Sequence, residues 1–301
     1  MKKILFEGAF TAIVTPFTKR GGIDLPALRR LLAYQLDGGI NGIVVCGSTG
    51  EAATLSEKEY SLVVRQTVRT VAGRVPVIAG AGSNNTQRAI AWSRLAAKAG
   101  ADALLHVTPF YNKPTPDGLV AHFKAIAKAV DLPIIIYNVP SRTGQNLSPR
   151  LVARIGKEVP RVIGIKEAAG SINQFGELMQ LVPKHFTVLS GDDSLTIPAM
   201  VLGAKGCISV VSNEAPRDFS LLCAAALRGD WENARALHFR LLDLMNINFI
   251  ESNPSPVKCA LAMMGIIEES LRLPLAPLEK KNRPAVRRAL QQLKLLRHGT
   301  H

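Results

Sequence analysis

Eight short, apolar, β-branched runs recur along most of this chain, separated by segments whose apolar residues fall three and four positions apart. The runs are Ala9–Val14, Gly42–Cys46, Val75–Ala79, Ala103–Val107, Pro133–Asn138, Val162–Lys166, Thr187–Ser190 and Cys207–Val211. Each is bounded by Gly, Pro, Asn, Asp or Ser, as strand ends are. Between them, Asp24–Leu36 repeats Leu25, Leu28, Leu31, Leu32 and Leu36. Asn85–Ala99 carries Ala89, Trp92, Leu95, Ala96 and Ala99 and stops at Gly100. Ser56, with Glu59 three residues on, is a capping box. Such alternation requires parallel strands joined by crossover helices. Eight units of about 28 residues predict an α/β fold closed into a (β/α)8 TIM barrel. A doubly wound sheet is the competing arrangement, but Thr15-Pro16-Phe17 stands where its GxGxxG turn would be. Beyond Gly229 the alternation ends. Trp231–Phe249, Pro256–Met264 and Pro284–Leu296 are helical in period, the last with a proline start. The expectation is a barrel over residues 1–229 and a C-terminal helical appendage over 230–301, with no low-complexity linker between them.

Composition narrows the function classes. With 47% hydrophobic and 20% charged residues the chain is not disordered. Its apolar runs, such as Leu132–Tyr137, are far short of the ~20 residues of a membrane span. Met1–Phe10 has two lysines and no apolar stretch of signal-peptide length before Glu7, so a cytoplasmic location and no membrane partner are expected. Cys46, Cys207, Cys223 and Cys259 form no CxxC pair, and the six histidines show no HxH or HExxH spacing. Neither a metal nor another cofactor is expected, and a reducing compartment fits. The net charge of +14 raises the question of nucleic acid. However, much of the excess lies in the tail (Arg272, Lys280, Lys281, Arg283, Arg287, Arg288, Lys294 and Arg297), and no basic run is interleaved with aromatics. The expected reading is a solvated surface that attracts anionic metabolites, with no nucleic-acid partner.

In a barrel the chemistry sits where strands end and βα loops begin. Lys166 follows Val162-Ile163-Gly164-Ile165 and so leaves an apolar strand into the barrel mouth. It could pair with Glu167 or another carboxylate. Alternatively, desolvation could favour its neutral form, which attacks a carbonyl to give a Schiff base. Lys113, several residues into the loop after the fourth strand, is its main competitor. No Ser-His-Asp order or paired metal ligands offer a rival nucleophile. Two of the four tyrosines, Tyr111 and Tyr137, stand at strand ends among polar loop residues, where a phenol can shuttle protons to and from a carbinolamine. Ser48 and Thr49 lie in a Gly-flanked turn suited to holding a carboxylate, or simply to making the turn. Arg142, in a Pro/Gly-bounded loop, suits bidentate carboxylate binding, or is a surface arginine.

Together, Gly47–Glu51 (GSTGE), Tyr137–Gly144 (YNVPSRTG) and Gly164–Glu167 (GIKE) resemble the pyruvate-dependent Schiff-base aldolases, and within them the dihydrodipicolinate synthases. The likeness extends over nearly the whole chain through Thr11–Phe17, Val107–Pro114, Leu189–Asp193 and Glu251–Lys258. It implies condensation of pyruvate with L-aspartate 4-semialdehyde through a lysine Schiff base, giving 4-hydroxy-tetrahydrodipicolinate for lysine and diaminopimelate synthesis. By resemblance, Lys166 forms the imine, Tyr137 relays protons over it, and Thr49 and Tyr111 complete a hydroxyl relay. In the family that second tyrosine reaches in from a neighbouring subunit. Ser48 and Thr49 would hold the pyruvate carboxylate and Arg142 that of the semialdehyde, with backbone groups of Gly191 and Ile208 lining the pocket. The resemblance also implies a homotetramer, a dimer of dimers.

One departure is Ser48, where most synthases carry threonine, a serine that sialic-acid lyases of the same superfamily share. It keeps the hydroxyl and loses a methyl. A sister activity on a sugar acid, such as N-acetylneuraminate or a 2-keto-3-deoxy acid, is the alternative; Arg142 argues against it, since those lyases place an uncharged stretch there. A catalytically silent binding protein is a third reading, opposed by the intact Lys166, Tyr137, Thr49 and Tyr111. In lysine-inhibited members a pocket near the loop after the second strand offers histidines, a glutamate and a tyrosine. Here Glu57, Tyr60, Arg88 and Phe110 stand at those positions beside a retained Asn84, so weak or absent lysine inhibition is expected.

Overall fold

A computed structural model of the chain describes residues 6–296. Residues 1–5 of the N-terminal stretch, on which the expectation of no export signal partly rested, and Arg297 of the basic tail lie outside the described residues. All eight expected strands form, within two residues of their expected ends: β1 (Gly8–Ala12), β2 (Gly42–Val45), β3 (Val77–Gly80), β4 (Ala103–Val107), β5 (Ile134–Asn138), β6 (Val162–Glu167), β7 (Thr187–Ser190) and β8 (Gly206–Ser209). Every strand pairs in parallel with its successor, and β8 closes onto β1. This is the TIM barrel that the alternation demanded.

The helices around it are α1 (Leu25–Asp37), α2 (Glu57–Val71), α3 (Thr86–Ala99), α4 (Pro116–Ala129), the single turn α5 (Pro140–Thr143), α6 (Pro149–Glu158), α7 (Ile172–Leu181), α8 (Thr196–Val201) and α9 (Pro216–Leu227). Their starts are written locally. Ser56 Oγ accepts from the Glu59 N–H while the Glu59 carboxylate accepts from the Ser56 N–H at 3.0 Å, which is the expected box at the head of α2. Asn85 caps α3, and Gly100 ends it at φ +92°, a conformation that glycine adopts without a Cβ penalty. The C-terminal region adds α10 (Trp231–Ile247), α11 (Ser255–Met263) and α12 (Arg283–Gln292). Leu241, Leu244, Val257, Leu261 and Val286 of these helices share one continuous core with the outer face of the barrel strands. The C-terminal helices therefore pack as part of the barrel's outer layer.

Along the strands, side chains alternate between two apolar layers. Phe10, Val44, Ile78, Leu105, Ile135, Leu189 and Ile208 fill the barrel interior, while Ile43, Val45, Ile136, Ile165 and Val188 face the helices. Strand β6 breaks this period once. Ile134 pairs with Val162, but the next residue, Ile135, pairs with Gly164, so β6 carries one extra residue, a β-bulge. Val162 and Ile165 both face outward although they are three residues apart, and Ile163 packs against the interior layer. Strict alternation from Val162 would have turned residue 166 toward the helices. The bulge turns it inward instead.

Gly164 permits this geometry. A Cβ there would lie 2.5 Å from the Thr187 carbonyl oxygen on β7. That contact is with backbone and cannot yield cheaply. We expect Gly164→Ala to lower stability by about 1–3 kcal/mol in urea titrations. Gly176→Ala on α7, where a Cβ would meet nothing within 4 Å, should leave stability unchanged or raise it. An unshifted midpoint for Gly164→Ala would show that β6 has slack at the bulge.

Candidate active site

At the C-terminal ends of the strands the barrel opens into a cavity of about 350 Å³. Ala12, Val44 and Leu105 form its apolar floor, and Lys166 and Tyr137 stand above them. The register of β5 and β6 pairs these two residues directly, and Lys166 Nζ lies 4.3 Å from the centroid of the Tyr137 ring. Lys166 is 5% exposed. Among the described residues it forms no ion pair. The pairing with Glu167 that the sequence left open does not occur, because the next residue along a strand points to the other face. The buried Glu167 carboxylate instead accepts from Asn138 Nδ2 at 3.0 Å, the Ala169 N–H at 2.7 Å and Gln174 Nε2 at 3.0 Å. Burial raises its pKa, and these donors oppose the rise. Gly191 makes room for the lysine, since a Cβ there would lie 2.8 Å from Lys166 Cε.

The turn Gly47–Glu51 forms one wall. Ser48 is exposed to the cavity, whereas Thr49 is buried, and its Oγ1 accepts from Asn253 Nδ2 at 2.9 Å. With that lone pair occupied, the Thr49 proton is left to donate. Glu51 closes the turn at φ +52°, an uncommon conformation for a residue with a side chain. Its N–H donates to Ser48 O at 3.1 Å. Its carboxylate forms an ion pair with Lys258 of α11, both side chains being wholly buried, and accepts from the Arg272 N–H at 3.1 Å. Lys258 Nζ also donates to Ser270 O at 2.9 Å and lies 4.1 Å from the centroid of the Phe17 ring. Burial pulls the Lys258 pKa down to about 8, against the attraction of Glu51. Arg272 stacks on the same ring and holds Glu59 through two nitrogens, which brings that carboxyl down to about 2.

Arg142, on α5, lines the opposite side, and its guanidinium donates to the Asn253 carbonyl at 3.4 Å. Asn253 thus touches both Thr49 and Arg142. Sequence reasoning assigned it no role, nor Phe249, Glu251 or Asp192, all of which line the cavity. The only sequence signal for Asn253 was its place in the Glu251–Lys258 motif. Two expected residues do not meet the others here. Ile208 packs inside the barrel, and Val210 lines the cavity near it. Tyr111 is 91% exposed at φ +71° and lies outside the cavity walls of its own chain. Lys113 is exposed on the same loop. A second cavity of about 520 Å³ shares Ser48, Tyr137, Arg142 and Asn253 and continues to Arg88, Trp92 and Phe110.

The arrangement offers a buried amine over an apolar floor, a phenol against it, a hydroxyl-bearing turn on one side and a guanidinium on the other. That set can form an imine with a small 2-oxo acid and hold a second carboxylate.

Removing one partner of a buried ion pair leaves an uncompensated charge, at about 3–5 kcal/mol. We expect Lys258→Met to lose that much in denaturant titrations. Glu51→Gln combined with Lys258→Met should recover most of it. Equal losses in the single and double variants would show that the pair contributes packing alone.

Comparison with known proteins agrees with the chemistry. The sequence model of the dihydrodipicolinate synthetase family matches residues 5–293. A protein of Maridesulfovibrio salexigens named 4-hydroxy-tetrahydrodipicolinate synthase is 53% identical over 273 residues, covering 91% of this chain and 93% of that one. One of the same name from Syntrophus aciditrophicus is 49% identical over 292 residues, covering 97% and 100%. Among solved structures, a dihydrodipicolinate synthase from Thermotoga maritima superposes with TM-score 0.95 at 44% identity, covering 97% of this chain and 99% of that one. The Cyanidioschyzon merolae enzyme, solved with lysine bound, superposes with TM-score 0.94 at 37% identity, covering 98% and 100%.

Proposed function

Because this chain belongs to the dihydrodipicolinate synthetase family, we propose that Lys166 is the amine through which it condenses pyruvate with L-aspartate 4-semialdehyde to 4-hydroxy-tetrahydrodipicolinate. The observation that carries the assignment is Lys166 itself: buried, without a carboxylate partner, and in register with Tyr137 at the barrel mouth. Its Nζ adds to the pyruvate carbonyl carbon, water leaves, and an imine forms. Loss of a methyl proton gives the enamine carbon that attacks the aldehyde. Tyr137, against Nζ, moves protons to and from the carbinolamine oxygen. Ser48 and Thr49, with the N–H groups of their turn, take the pyruvate carboxylate, and Arg142 takes that of the semialdehyde. Gly191 bounds the pocket beside the imine, while Ile208 supports its floor from within the barrel.

Tyr111 reaches solvent in the single chain, so we place its hydroxyl in the site of a neighbouring protomer, completing the relay with Thr49 and Tyr137 there. A dimer is then the smallest active unit, and a tetramer would pair two such dimers. Among the described residues no helix is long and apolar enough to cross a membrane. A cytoplasmic enzyme of amino-acid biosynthesis fits these features.

Pyruvate followed by borohydride should add one reduced pyruvoyl group per chain, at Lys166. Lys166→Arg should abolish the adduct, since a guanidinium stays protonated. Peptide mapping that places the label on Lys113, or finds none, would overturn the mechanism.

The second cavity bears on inhibition by lysine. Arg88 and Phe110 line it, while Tyr60 is wholly buried with its ring against Trp92 and so cannot offer its hydroxyl there. Arg88 would repel a ligand ammonium. Initial rates at fixed pyruvate should fall little below millimolar lysine. Half-inhibition at micromolar lysine would show that the pocket recognises it by other groups.

A further inference from the structure

We propose that the outer face of α2 and α3 is a docking surface for an acidic α-helix of another protein, one that carries carboxylates four residues apart. Helix α2 turns Val63, Val64 and Thr67 into the protein, which leaves Leu62, Arg65 and Arg69 on its solvent stripe. Helix α3 buries Ser93, Ala96 and Ala99 and leaves Arg94 and Lys98 outward. A Cβ on Gly100 would lie 3.2 Å from Val68 Cγ1, so the C-terminal turns of the two helices stand level. Arg69 therefore lies opposite Lys98, and Arg65, one turn back, lies opposite Arg94. The four cations form a rectangle, about 6 Å along each helix, on two axes about 8–10 Å apart.

No carboxylate of the chain answers these charges. Among the described residues none of the four forms an ion pair. Helix α3 carries no acidic residue at all. Glu59 of α2 is taken by Arg272, and Asp102 accepts from the Val77 N–H at 2.8 Å. Glu57, in the first turn of α2, and Asp37, at the end of α1, are exposed and pair with neither row. Further round the barrel the same residue types are neutralised internally: Lys124 and Arg154 share Glu158, and Arg154 also takes Asp117.

A lone exposed charge is screened and selects little. Four at fixed spacing select a ligand whose charges repeat at the same interval. Carboxylates at i and i+4 of a helix are also about 6 Å apart. A helix lying along the groove between α2 and α3 would present them to both rows. Three of the four cations are arginines, whose forks take a carboxylate through two nitrogens. Leu62, 41% exposed in the same stripe, adds one apolar contact. The occupant is not a second copy of this chain, since no helix among the described residues carries two acidic residues four apart. Nor does the face offer stacking platforms for bases, because its aromatic residues, Tyr60 and Trp92, pack on each other.

The test uses the intact protein and two alanine-based helical peptides of identical composition, one with its glutamates at i, i+4 spacing and one with them dispersed round the helix. Binding is read by fluorescence anisotropy. We expect the spaced peptide to bind about tenfold tighter than its isomer, and to weaken about tenfold between low and physiological salt. Arg65→Gln combined with Arg94→Gln should weaken it about tenfold again, with the urea midpoint and the condensation rate unchanged. Arg161→Gln, which removes a cation paired with Asp131 elsewhere on the surface, should leave peptide binding as it was. No binding of the spaced peptide at low salt, equal affinity for the two peptides, or no response to the double substitution would overturn the proposal. Tighter binding of duplex DNA than of the spaced peptide, lost in the same double variant, would overturn it in favour of a nucleic-acid surface.

Discussion

The extra residue in β6 is the constraint on which the site depends. A parallel strand buried on both faces offers no local reason for a lysine at its end to point inward rather than outward. Here the side is set two residues earlier, where Ile163 is inserted and Gly164 packs against the Thr187 carbonyl. Once Lys166 faces the interior, its neighbours follow from register. Tyr137 on β5 comes level with it, and Glu167 is sent to the outer face, where Asn138, Ala169 and Gln174 hold it. The same step that exposes the amine to the cavity removes the nearest carboxylate that could have neutralised it. Gly191 then leaves the space the lysine side chain fills.

A second support comes from far along the chain. The turn bearing Ser48 and Thr49 ends in Glu51, whose backbone is in a left-handed conformation that local sequence alone does not favour. Lys258 and the Arg272 N–H hold that residue from the C-terminal region, and Asn253 holds Thr49 directly. A buried ion pair is weak grounds for stability, because desolving two charges offsets most of their attraction. Its use here is geometric, since it fixes the turn that forms one wall of the cavity. The helices after residue 230 therefore form part of the site's frame.

Much of this was legible in the sequence, for physical reasons. The strands announced themselves because a barrel strand is apolar on both faces and ends in turn residues. Lys166 and Tyr137 stood out because charged or phenolic groups at the ends of such strands have few places to go but the barrel mouth. Asn253 and Lys258 were not assigned roles, because what defines them is a partner elsewhere in the chain. Thr49 and Asn253 are 204 residues apart, and no periodicity reports such a contact. Nor could spacing show that Asp192 and Asp193 face opposite ways, since both stand in one loop after β7. At Ile208 the side chain packs into the barrel filling, and Val210, two positions on, lines the cavity.

The net charge of +14 acts on a different scale from the site. Charges dispersed over the surface are screened within about 8 Å at physiological salt, so they raise the encounter rate of anionic metabolites without choosing among them. Choice requires groups that water and salt do not reach. Lys166 is such a group, and Asn253, which joins the Thr49 hydroxyl to the Arg142 guanidinium, is another. Because one residue touches both the Thr49 and the Arg142 walls of the cavity, the spacing between them is fixed by a single covalent unit rather than by two loops moving independently. A pocket framed in this way can tolerate serine at position 48, where only a methyl group is lost. It has far less room for changes at residue 253, where the spacing of both walls is set.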